Sequence, residues 1–214
     1  MREARLSLDH LLIGAATLES GIAWLEAKTG VRATIGGSHP GLGTWNALAS
    51  LGPTQYIEII APDPAQPGVE TFYVPDLGDF KEPRVATWAA QGIDLTSRFI
   101  GALPSGYSCP PPRQGARVRP DGTRLAWTLA FPKHGERGSF GGAFPFFIEW
   151  ESLESHPGRT TPQGLSLRSL SFEHPWPEAL RDALEAVRIE GPVTLSAAPS
   201  IGVELETPRG PVRL

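Results

Sequence analysis

Three short segments dominate the pattern of this chain: LSLDHLLIGA (6–15), TQYIEIIA (54–61) and FPFFIEWE (144–151) each read as an apolar strand that carries an ionisable side chain among hydrophobic ones. Successive side chains on a strand point to opposite faces, so in Tyr56-Ile57-Glu58-Ile59-Ile60 the isoleucines flanking Glu58 share one face and Glu58 lies on the other. Glu149 sits the same way between Ile148 and Trp150, and His10 interrupts the first segment. A carboxylate in such surroundings needs a cation, a hydrogen-bond network or a raised pKa, because burying an unpaired charge is strongly unfavourable. One imidazole and two carboxylates suit a divalent metal.

The pattern then repeats. The first unit predicts a strand over Leu6–Ala15 and a helix over Thr17–Gly30, with Leu18, Ile22 and Leu25 as its apolar stripe and Gly30 as its stop. A strand with GLGTWNALASLG and the TQYIEII strand follow. After a Pro/Gly/Asp-rich connector, Pro62–Pro83, the second unit predicts strand Arg84–Gln91, helix Asp94–Ala102, strand Ala116–Pro120, a Pro-Asp-Gly turn, strand Thr123–Pro132 and the FPFFIEWE strand. Superimposing Leu18 on Leu95 sets Thr87 opposite His10 and requires extra residues before Glu149, for which the Gly-rich Lys133–Ala143 is the natural place. A third, shorter unit starts at Leu165, where Ser166-Leu167-Arg168-Ser169 matches Ser7-Leu8-Asp9-His10 with serine in place of the histidine. A helix over Pro177–Arg188 and two or three strands between Val193 and Leu214 complete it, and its role reads as architectural. The expected fold is α+β, with tandem βαβββ modules at 6–62 and 83–151 and a short third module at 165–214 packed on the same domain.

Composition narrows the setting. With 24 Gly and 22 Pro but 40% apolar residues and six tryptophans, the 214-residue chain reads as a packed, turn-rich globule. A net charge of −4 without a basic block leaves no electrostatic footprint for nucleic acid. The apolar stretch Leu11–Ala16 is too short for a signal or spanning helix. Cys109 is the one cysteine, which excludes an intrachain disulfide and a Cys-based zinc site. The expectation is a cytoplasmic protein with a small-molecule partner and neither membrane nor nucleic-acid contacts; a homodimer is left open.

LDHLLIGA, GGSHPGLGTWNALASLG with YIEIIAPDP, RPDGTRLAWTLAFP and PFFIEWESLESHP, in this order, resemble the glyoxalase-like domain family of the vicinal oxygen chelate superfamily, the group of glyoxalase I, extradiol dioxygenases and bleomycin-resistance proteins. The resemblance implies paired modules whose mostly antiparallel sheets, with flanking helices, curl into a cup, and metal ligands from the first and last strands of each module. Carried over, His10 matches a first-strand ligand, Glu58 and Glu149 match last-strand ligands, and Thr87 stands where the remaining ligand would fall. That departs from a four-ligand set. The implied cofactor is a divalent metal such as Zn, Ni, Mn or Fe, with no organic cofactor; the metal would polarise a substrate carbonyl or enolate, with Glu149 or Glu58 as general base. The competing arrangement is a polar floor in which His10 bonds a glutamate without metal.

Further candidates for substrate contact are Asn46, which shares a strand face with Thr44 and Leu48; Trp127, as a wall of the cup; Arg119, beside Pro120-Asp121-Gly122, as a carboxylate grip; His39, on a turn-rich loop; and His156, close behind the FFIEWE strand at the cup rim. Gly135–Gly142 suits a mobile lid and lacks the ending of a phosphate-binding loop. No Ser/His/Asp or Cys/His nucleophile arrangement is recognisable. Two functions remain: a metal-dependent lyase, isomerase or dioxygenase-type enzyme acting on a small oxygenated substrate, or a metal-free protein that binds and sequesters a small molecule. A structural module is the third reading.

Overall fold

The computed structural model describes residues 6–71, 74, 76–92, 100, 101, 103, 106–118, 122–135 and 139–214. The fold is α+β. Its strands are β1 (Ser7–Gly14), β2 (Thr34–His39), β3 (Thr44–Gly52), β4 (Gln55–Pro62), β5 (Arg84–Gln91), β6 (Tyr107–Ser108), β7 (Arg113–Val118), β8 (Arg124–Ala130), β9 (Lys133–His134), β10 (Phe146–Trp150), β11 (Ser166–His174), β12 (Val193–Leu195), β13 (Ser200–Glu206) and β14 (Val212–Arg213). The helices are α1 (Leu18–Thr29) and α2 (Pro177–Ala186). The chain divides into two compact units. One comprises His10–Ala86, Pro157–Ser169 and Val203–Leu214; the other holds the chain start up to Asp9 with Thr87–His156 and Leu170–Gly202.

In the first unit the strands run in the order β2-β3-β4-β1. β1 is parallel to β4, while β3 and β2 follow antiparallel. The apolar face of this sheet, with Leu11, Ile13, Ala47, Ala49, Ile57 and Ile59, is fully buried. α1 packs on it through β3 and β4. The helix starts at Thr17, whose side chain accepts from Ser20 N–H in a capping box, and stops at Gly30, where φ of 79° is the left-handed conformation that suits glycine. Gly21 lies so close to the sheet that a Cβ there would meet Ile59 Cγ2 at 2.4 Å. The helix and its two ends therefore stand where the apolar stripe places them.

The second unit repeats the plan in the order β5-β10-β8-β7, with β10 parallel to β5 and antiparallel to β8, and β7 antiparallel to β8. The extra residues of the second module fall between β8 and β10, where the Gly-rich stretch predicted them. Register corrects one expectation. Leu11 pairs with Ile57, the residue before Glu58, and Gln91 pairs with Ile148, the residue before Glu149. The counterpart of His10 is therefore Ala90 and not Thr87. Thr87 lies on the strand face opposite to Glu149, and its hydroxyl donates to Gly142 O at 3.1 Å. The expected helix Asp94–Ala102, apart from Ile100 and Gly101, and the Pro-Asp part of the 120–122 turn lie outside the described residues.

The third module shares its strands between the units: β12 pairs parallel with β11 through Phe172 and Val193, and β14 pairs antiparallel with β13 through Glu204 and Arg213. Phe172 stacks on Trp88 with ring centres 5.7 Å apart, and Trp88 Nε1 donates to Ala143 O at 2.9 Å. With Phe140, Phe144 and Phe147 these rings form a fully buried aromatic core.

His156, expected at a rim, is instead fully buried in the same unit. Its Nε2 is 3.1 Å from Asp9 Oδ2, which also accepts from Trp150 Nε1 at 2.8 Å. An acceptor-only carboxylate with no exposure depends on such donors. Removing one partner of a buried hydrogen bond leaves the other group unsatisfied, at a cost of about 1–3 kcal/mol. His156→Ala and Asp9→Ala are accordingly expected to lower the unfolding free energy read from urea titration by that order each, and the double variant to lose clearly less than the sum. Additive losses would refute a direct interaction.

Candidate functional site

The face of the β2-β3-β4-β1 sheet opposite α1 carries the polar residues. Alternation places His10, Leu12 and Gly14 of β1 on this face, together with Tyr56, Glu58 and Ile60 of β4 and Thr44, Asn46, Leu48 and Ser50 of β3. At the Gly14 end, Phe80 and Leu77 pack so closely that a Cβ on Gly14 would meet Phe80 at 2.6 Å. At the Ser50 end, Ser50 Oγ donates to Gly158 O at 2.6 Å, and a Cβ on Gly158 would lie 2.2 Å from Gly52 O. The polar cluster lies between these two closures.

All four strands contribute to it, β3 and β4 with two residues each. Glu58 Oε2 is 3.3 Å from His10 Nε2, and Glu58 Oε1 is 3.6 Å from His39 Nε2. Asn46 Nδ2 donates to Glu58 Oε1 at 2.8 Å and lies 3.1 Å from His39 Nε2. His39 Nδ1 is 2.9 Å from Thr44 Oγ1. Tyr56 stacks on the His10 ring, centres 4.6 Å apart and planes 24° apart. The side chains of His10 and Glu58 are 3% and 9% exposed and that of His39 17%, so the cluster meets solvent on the His39 side.

Two features of β2 put His39 there. The strand slips register between Ile35 and Gly37, a bulge that re-aims the residues after it. Gly36 leaves room for Asn46, since a Cβ at Gly36 would lie 2.3 Å from Asn46 Oδ1. Beyond the strand, Asp63 accepts from Ser38 Oγ, from Gln66 Nε2 at 2.8 Å and from Ala65 N–H at 2.9 Å. Gln66 Nε2 also donates to His39 O at 3.1 Å. These hydrogen bonds, Ser38 first, then Gln66 and Ala65, hold the Asp63 carboxyl below the usual carboxylate range.

The expected residues thus separate into groups. His10, Glu58, Asn46 and His39 come together; His39 is the end of a paired strand and not a loop residue. Glu149 belongs to the other unit, where the register counterparts of His10 and Asn46 are both alanines, Ala90 and Ala126. Trp127 pairs with Trp150 and lies on the sheet face opposite to Glu149, over Gly115, so it does not line the Glu149 face. His156 anchors Asp9, and Arg119 lies outside the described residues. Tyr56, Ser38, Asp63 and Gln66 were missed. Tyr56 alone was within reach of the sequence, two residues from Glu58 and hence on its face.

A divalent metal is the cofactor implied by the resemblance. Two neighbouring ligands on one ion stand about 3.0–3.4 Å apart for metal–ligand bonds of about 2.1 Å. His10 Nε2 and Glu58 Oε2, 3.3 Å apart, fit that spacing and supply a nitrogen and an oxygen donor. Among the described residues no group of three or more His, Cys, Asp or Glu side chains is arranged to hold an ion. Asn46 Nδ2 occupies the approach between Glu58 and His39.

The glyoxalase-like domain family matches residues 8–187 of the chain. No curated protein matches the sequence. Among solved structures, a hypothetical protein from Staphylococcus aureus is similar over 97% of this chain and 84% of its own, with 15% identity and a TM-score of 0.65. A methylmalonyl-CoA epimerase from Mycobacterium tuberculosis is similar over 70% of this chain and 91% of its own, with 20% identity and a TM-score of 0.41. A methylmalonyl-CoA epimerase in complex with methylmalonyl-CoA and ammonium covers 68% of this chain and 94% of its own, at 13% identity and a TM-score of 0.40.

Asp63 gives the site a pH dependence whose sign follows from its lowered pKa. The stabilisation it contributes is present above the ordinary carboxylate value of about 3.9 and is lost as pH falls through its lower native value. The stability difference between the wild type and Asp63→Asn, measured by urea titration from pH 7 downward, is expected to be largest at neutral pH and to shrink on acidification. A difference that does not change with pH would refute the assignment.

Proposed function

This chain belongs to the glyoxalase-like domain family of the vicinal oxygen chelate superfamily, and we propose that it binds a small oxygenated molecule at the His10–Glu58 cluster and transforms it as a metal-dependent lyase, isomerase or dioxygenase-type enzyme. The observation that carries the reading is the buried Glu58 carboxylate, approached by His10 Nε2 at 3.3 Å and by Asn46 Nδ2 at 2.8 Å. Fold membership alone does not choose a chemistry, so the proposal rests on these side chains.

His10 and Glu58 would hold the metal, which when bound supplies a Lewis acid for a carbonyl or enolate oxygen. The chain's own groups do the rest. Tyr56 fixes the plane of the His10 ring by stacking. Asn46 orients Glu58 by donating to Oε1 and leaves Oε2 on the His10 side. Burial of the cluster keeps bulk water off these groups and strengthens every polar contact a ligand makes there.

Metal analysis of untagged protein, incubated with Mn, Fe, Ni or Zn and then desalted, tests the proposal. Near-stoichiometric metal is expected in the wild type and loss of about tenfold or more in affinity in His10→Gln and Glu58→Gln. Wild-type protein that takes up no metal from any of the four would overturn the mechanism, and ligand binding that survives a chelator would then favour sequestration.

A further inference from the structure

We infer that Asn46 is a positioning residue that locks His39 as the neutral imidazole protonated on Nδ1, so that His39 Nε2 is held without a proton as an acceptor inside the cluster. Glu58 sets the polarity of the hydrogen bonds. An ionised carboxylate only accepts hydrogen bonds, so the Asn46 amide must turn its NH2, and not its oxygen, toward Glu58 Oε1 at 2.8 Å. The same nitrogen is 3.1 Å from His39 Nε2. An amide nitrogen has only hydrogens to offer, so Nε2 is the acceptor and carries no proton. The proton of the neutral ring is then on Nδ1, which donates to Thr44 Oγ1 at 2.9 Å.

The fold holds this orientation against a cost. Asn46 is 4% exposed, and its Oδ1 is buried without a hydrogen-bond partner. That atom fills the space over Gly36 where a Cβ would come within 2.3 Å of it. An orphaned buried acceptor is unfavourable, and here it is the consequence of directing both amide hydrogens into the cluster. The backbone of His39 is pinned as well: Gln66 Nε2 donates to His39 O at 3.1 Å, and Gly41 N–H donates to Gln66 Oε1 at 2.7 Å. Among the three ionisable side chains His39 is the most exposed, at 17%.

Long-range proton–nitrogen NMR correlation on protein labelled with 15N-histidine, at a pH where the imidazoles are neutral, reads the tautomer without any substrate. His39 is expected to be protonated on Nδ1 in the wild type. In Asn46→Leu the proton is expected to move to Nε2, which then faces Glu58 Oε1 at 3.6 Å. Thr44→Val removes the acceptor from the other end and should move it the same way, which keeps the test open if Asn46→Leu does not fold. A wild-type ring protonated on Nε2, or an unchanged tautomer in the folded variants, would overturn the lock.

Discussion

The carboxylate of Glu58 is the constraint around which the β1–β4 sheet is arranged. It lies on β4 between Ile57 and Ile59, which are sealed beneath α1. A slip of β4 by a single residue would drive the charge under the helix and turn both isoleucines into the polar face, so one register is strongly favoured. In that register His10 and Asn46 each bring a nitrogen to Glu58 from an adjacent strand, and His39 brings one from β2 beyond β3. The helix on one face and the hydrogen-bonded carboxylate on the other are two sides of the same alternation.

The second module shows what the same register does without that charge network. Its strand order and pairing reproduce those of the first, yet Ala90 and Ala126 stand where His10 and Asn46 stand. Trp88 and Phe147, on the same strand face as Glu149, pack instead with Phe172 and Phe144 into an aromatic core. Backbone pairing is thus common to both modules, while the polar cluster depends on a few side chains of one face. Phe172 comes from β11, so the third module contributes to that core.

Much of the fold was legible because its signals are local. Alternation about Glu58, the stripe Leu18, Ile22 and Leu25, and the Thr17 and Gly30 ends of α1 each depend on residues within a turn or a strand of one another. His10, Glu58 and Asn46 could be named for the same reason. What failed required distances between elements. Aligning the modules through their helices put Thr87 opposite His10, whereas sheet register selects Ala90, because connections between elements need not keep their length when a module is repeated. The face on which Trp127 lies is decided by its pairing with Trp150, which no pattern within β8 reveals. His39 read as a loop residue because Gly36, Gly37 and Pro40 surround it; the bulge that uses Gly36 is visible only once β2 lies against β3. His156 and Asp9 are 147 positions apart, and nothing in either neighbourhood announces the other.

The glycine at 36 also helps to hold the cluster together on an edge strand. Among the described residues β2 pairs on one side only, with β3, and an edge of this kind ordinarily leaves its end residues loosely held. Here the end is held from two directions: the Asn46 amide fills the space that a side chain at 36 would take, and Asp63 with Gln66 ties Ser38 and the His39 carbonyl to the segment following β4. The two devices are separate in sequence and act on adjacent residues. Geometry that would otherwise need a fifth strand is supplied by a missing side chain and one carboxylate. A cluster placed on paired strands and braced in this way has its polar groups already aimed, which is what a preorganised site requires.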